Sequence, residues 1–144
     1  MKNIDLLKRI VFGIQSDLVD YRSLRELQEK QFEAALRHDT AALVDVASDM
    51  GMLCAELERR RRHRVALLEQ EPELARLPCE QQVPSLLEQL PSAPRTLAMA
   101  AWQDLGGLIR ECKALNTRNC QLIVDQYEIM QRVLGQEEAT YAPR

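Results

Sequence analysis

Apolar residues recur at intervals of three and four along most of this chain, the spacing that lines one face of a helix. The longest run predicts a helix over 96–134. There Ala101, Leu108, Leu115, Leu122 and Ile129 stand seven apart, and Leu105, Cys112, Asn119, Gln126 and Val133 each follow four residues later. Trp102, Ile109, Asn116, Ile123 and Met130 widen the stripe beyond a two-helix seam. At 1.5 Å per residue this helix is about 58 Å long. Asn119 and Gln126 fall where their heptad neighbours are apolar, and a buried amide without a partner costs about 1–3 kcal/mol. The distal half of the helix therefore reads as less committed to a permanent core and suited to docking outside its own chain.

Two further helices precede it. Asn3 caps a helix over 3–37 in which Ile4, Val11 and Leu18 alternate with Leu7, Ile14 and Tyr21. After Tyr21 the stripe shifts to Leu24, Leu27, Phe32 and Ala35, a break that predicts altered supercoiling. Asp39 or Thr40 caps the second helix, 40–70, whose stripe is Leu43, Val46, Met50, Leu53 and Leu57. So short a link makes the first two helices antiparallel neighbours. Pro72, Pro78, Pro84, Pro91 and Pro94 then break up a connector over 71–95, leaving room for a short helix at 85–90. Thr96 is the expected cap of the third helix. Gly106-Gly107 interrupts it, which a bend or a close backbone approach would explain, and Gly135 is the expected stop before a flexible tail over 135–144. The fold expected is all-α in a single domain. It is an elongated antiparallel coiled-coil hairpin with a Pro-rich connector and a long third helix packed along it, as in a three-helix bundle.

Composition narrows the function. The chain has 144 residues, 46% of them apolar and only 4% aromatic, which favours long aliphatic helices over an aromatic-centred globule. A net charge of −3 gives no overall reason to bind nucleic acid. Neither a secretory leader nor a membrane-spanning run is evident, so a soluble cytoplasmic protein without membrane insertion is expected. Four cysteines lack metal-ligand spacing and read as small packed side chains. The run Arg59–Arg64 is too dense to face solvent throughout. One or two of its arginines must lie along the apolar stripe, with Glu56–Arg60 and Glu58–Arg62 pairing on the surface, and the competing reading is a basic patch for an acidic partner. His38 and His63 have no ligand or nucleophile at a useful spacing, and no glycine-rich phosphate loop exists. The expectation is therefore no enzyme, no cofactor and no metal.

One motif is more specific. Leu115-Asn116-Thr117-Arg118-Asn119-Cys120-Gln121-Leu122-Ile123 resembles the N-x-x-N-G-x-L-[LI] signature of FlgN-like flagellar export chaperones, with Cys120 in place of the glycine. Val133-Leu134-Gly135 and Thr140-Tyr141 follow where that family has a short tyrosine-containing tail, here ending Ala142-Pro143-Arg144. The resemblance implies a cytoplasmic chaperone that binds C-terminal helical segments of hook-associated, hook–filament junction proteins and delivers them to the flagellar type III export gate. It implies that Leu115, Asn116, Asn119, Leu122, Ile123, Gln126, Ile129, Met130 and Val133 face the client and that Tyr141 faces the gate platform protein. Met130 beside Leu and Ile suits an adaptable groove. The alternative is a purely structural coiled-coil protein that forms homo-oligomers and takes no client.

Overall fold

The heptad rhythm is realised as five helices in a computed structural model that describes residues 3–141, the side chain of Tyr141 excepted. They are α1 (Ile4–Leu36), α2 (Thr40–Glu69), α3 (Pro72–Ala75), α4 (Cys79–Leu87) and α5 (Ser92–Tyr141). Among the described residues there is no strand. The fold is the all-α hairpin with a long final helix that the periodicity predicts.

The hairpin turn is built by local chemistry. His38 has a φ of 54°, so the chain leaves α1 through a left-handed residue. Asp39 N–H donates to Ala34 O at 2.9 Å and His38 N–H to Ala35 O at 3.1 Å, the paired closure of a Schellman motif. Asp39 then caps α2 by accepting from the Ala42 N–H at 3.0 Å. The left-handed conformation costs a histidine about 1–2 kcal/mol relative to glycine.

Both α2 and α5 pack on α1 and scarcely touch each other. In α1 the residues that face its partners are Leu7, Ile10, Ile14, Asp17, Tyr21, Leu24, Gln28 and Ala35, an unbroken three-four alternation once Gln31 is included. The expected break after Tyr21 is therefore absent. Gln28 holds one of these positions despite its polar side chain, and it is only 2% exposed. Three hydrogen bonds fix the α1–α5 register, joining Tyr21 with Cys112, Gln28 with Asn119 and Ala35 with Gln126. Each spans 91 positions, so the two helices run parallel at constant offset.

The connector is core rather than tether. Leu74 of α3 and Val83, Leu86 and Leu87 of α4 are buried with Leu7, Ile10, Leu68, Ala98 and Leu105, closing the base of the bundle. The short helix expected at 85–90 lies at Cys79–Leu87 instead and carries Pro84 inside it. A proline removes one hydrogen bond from so short a helix, and burial of Leu86 and Leu87 offsets the loss. The last helix also overruns its expected limits. It starts at Ser92, ahead of Thr96, because Pro94 in the first turn lacks only an N–H that has no partner there anyway. Thr96 is thus no cap; its hydroxyl donates back to Ser92 O at 3.0 Å. At the other end Gly135 does not stop it, and residues expected in the flexible tail are helical to Tyr141. Nor do Gly106 and Gly107 admit a neighbouring backbone: the nearest atoms to an added Cβ belong to the Arg110 guanidinium.

Candidate partner-docking surface

Going up α5, the interface with α1 changes character. Near the base it is aliphatic, with Ala98, Ala101, Leu105 and Leu108 packed among Leu7, Ile10, Ile14 and Leu18. From Cys112 onward every seventh residue instead donates a hydrogen bond to an α1 main-chain carbonyl. Cys112 Sγ donates to Tyr21 O at 3.6 Å, Asn119 Nδ2 to Gln28 O at 2.7 Å and Gln126 Nε2 to Ala35 O at 2.9 Å. In the opposite direction, Gln28 Nε2 donates to Cys112 O at 2.8 Å. Asn119 also donates to Gln31 Oε1 at 2.9 Å and accepts from Arg118 Nε at 3.1 Å, so its amide is satisfied on both sides. Arg118 in turn lies 3.8 Å over the Phe32 ring and 3.4 Å from a Glu29 carboxylate oxygen. Oε1 of Gln28 is left without a donor among the described residues.

The ladder ends because α1 ends. Ala35 lies in the last turn of α1, and its carbonyl, already bonded by the His38 N–H, accepts a second hydrogen bond from Gln126 of the neighbouring helix. Beyond it α5 continues to Tyr141, about 22 Å further, and among the described residues every one from 127 to 140 is exposed. The face that gripped α1 continues along this overhang. Ile129 is 53% exposed and Met130 57%, with Val133, Leu134 and Tyr127 comparably open and Ile123 at the margin.

Of the residues expected to meet a client, the structure thus brings Ile123, Ile129, Met130 and Val133 together on an open apolar face. Leu115, Leu122 and Gln126 are half-buried, and Asn116 is exposed. Asn119 is fully buried against α1, so it does not face a partner as expected. The side chain of Tyr141 lies outside the described residues. Sequence reasoning passed over Tyr127 and Leu134, which share the open face; their three- and four-residue spacing from Ile123 and Met130 was signal enough.

Compared with protein-family models, curated proteins and solved structures, the chain matches none.

The arginine run has another fate. Arg60 Nε donates to Asp17 Oδ1 at 2.8 Å and Arg64 Nη1 to Asp17 Oδ2 at 2.9 Å, while Arg60 Nη2 reaches Asp20. Asp17 is 2% exposed, at a core-facing position of α1. These are the arginines whose stems lie along the apolar stripe. The remainder pair along α2: Arg59 with Glu56 at 2.6 Å, and Arg61 and Arg62 with Glu58 at 2.8 and 3.0 Å. The Arg61 hydrogen bond, with Arg62 beside it, holds the Glu58 carboxyl down at about 2. Every arginine in the run therefore has a carboxylate partner, Arg61 and Arg62 sharing Glu58, which leaves little free positive charge for a basic docking patch. Burial pushes the Cys112 thiol up, so it is held as the neutral donor that its bond to Tyr21 O requires. No group of three or more metal-ligating side chains occurs among the described residues. No helix there is long and apolar enough to cross a membrane.

Proposed function

We propose that this chain is an export chaperone and adaptor that captures an amphipathic helix of its client along distal α5. One observation carries the reading: the apolar face with which α5 grips α1 extends past the end of α1 and is left open by the described residues. A helix laid there continues the line of α1 and buries Ile123, Ile129, Met130 and Val133 without catalysis or nucleotide. The N-x-x-N resemblance gives the client class, the C-terminal helical segments of hook-associated proteins, and the destination, the flagellar type III export gate reached from the cytoplasm. The structure alters the part played by the motif. Asn119 is not a client contact in this reading; it anchors α5 to α1 so that the overhang projects from the end of the hairpin.

A peptide covering the C-terminal helix of a hook-associated protein, titrated by fluorescence anisotropy, is expected to bind the full chain. Affinity should drop at least about tenfold on Met130→Asp, the cost of placing a charge in a binding hot spot, with helicity by circular dichroism unchanged. Equal binding by Met130→Asp and the parent chain overturns the proposal.

A further inference from the structure

A second apolar surface lies at the opposite end of the molecule. The first turns of α1 and α5 and the bend between α4 and α5 enclose a groove of about 690 Å³, lined by Ile4, Val11, Phe12, Leu90, Pro94 and Leu97 among others. Phe12 is 75% exposed and Leu97 74%, which makes this the most open large-apolar pair on the described surface outside α2 and α5's overhang. An exposed phenylalanine beside an exposed leucine in a groove is the composition of a helix-binding cleft. Among the described residues Lys8 is the only ionisable side chain that lines it.

We infer that this basal groove receives the α5 overhang of a second copy of the same chain, head to tail. Three features of the two surfaces fit. The first is length: the groove follows α1 from Ile4 to Gln15 and the open row of the overhang runs from Ile123 to Leu134, each about 17 Å or three helical turns. Shape is the second, since the groove is concave between two helices and the overhang is a single convex ridge. Charge is the third. The overhang, to Tyr141, carries Glu128, Glu137 and Glu138 against one Arg132, and the groove offers Lys8. The contact is heterologous, using different patches on the two copies, so it generates open chains rather than a closed dimer. Its size is that of weak, reversible association. The inference rests on the overhang being the client surface: a client helix and a second copy then compete for it, and the unloaded protein is stored in short chains that a client disperses.

Two substitutions at exposed positions isolate the two ends. By sedimentation equilibrium the parent chain is expected to gain average mass with concentration, less steeply at high salt. Phe12→Asp and Met130→Asp should each be monomeric alone, because one lacks the groove and the other the ridge. Mixed, they should form a one-to-one heterodimer, since Phe12→Asp keeps the ridge and Met130→Asp keeps the groove. A parent chain that stays monomeric, a Phe12→Asp chain that still self-associates through two overhangs, or a mixture that stays monomeric overturns the inference. The client reading is scored separately by titrating the hook-associated peptide onto monomeric Phe12→Asp, whose overhang is intact. Peptide binding without head-to-tail assembly sinks only this inference, and assembly without peptide binding sinks only the client reading.

Discussion

Asp17 is a residue whose removal is expected to cost heavily. It is a carboxylate buried in the α1 stripe, and two arginines from α2 converge on it. Breaking a buried ion pair by deleting one partner leaves charge uncompensated and costs about 3–5 kcal/mol, whereas replacing the set with apolar residues of similar volume is often neutral or better. Asp17→Ala should therefore lower stability to chemical denaturation by about 3 kcal/mol, and a combined Asp17→Leu, Arg60→Met, Arg64→Met chain should recover most of that loss. A loss under about 1 kcal/mol in the single variant would show that water satisfies the arginines. The density of the arginine run told that some of its members had to pack. Which acid they would find was not legible, because a lone aspartate in a helix is solvated far more often than buried. Asn119 failed for a related reason. Its partners are the main-chain carbonyl of Gln28 and the side chain of Gln31, and a backbone acceptor is present at every position and leaves no mark on sequence.

At the level of the element, α5 is two helices in one. Its proximal part is held by aliphatic packing, while the overhang has, among the described residues, only its own backbone hydrogen bonds and side-chain bonds such as Thr140 Oγ1 to Gln136 O at 2.9 Å. An isolated helix of this length is marginal in water, so single-residue propensity governs it more than it governs a packed helix. Gly135 sits there with nothing within 4 Å of an added Cβ. Gly135→Ala should favour the helix by about 1 kcal/mol and shift Cα resonances from Met130 onward toward helical values, with the hairpin untouched. Unmoved resonances would mean that the overhang is already held by something other than propensity. The stop expected at Gly135 failed here because glycine ends a helix only where the chain has reason to turn, and nothing beyond α1 draws it aside.

Across the whole molecule the stabilising contacts form a gradient. Leucines of α3, α4, α1 and α5 concentrate at the base, hydrogen-bonded amides hold the middle, and one helix stands alone at the top. Local opening free energy follows buried contacts, so amide hydrogen exchange in α5 should be slowest around Leu105, intermediate near Asn119 and fastest beyond Gln126. Uniform protection along α5 would contradict the gradient and, with it, an overhang free to accept a partner. Sequence by itself determined the three long helices, with the limits of α1 and α2 to within a turn and α5 too short at both ends, the hairpin and the stripe from Ala101 to Gln126, because each follows from local periodicity and capping that the chain carries in its own order. Only the tertiary structure decided where that stripe is covered. The end of α1 and the 91-residue offset between the helices set the last covered rung at Gln126, and an offset between two distant segments is written in no single stretch of chain.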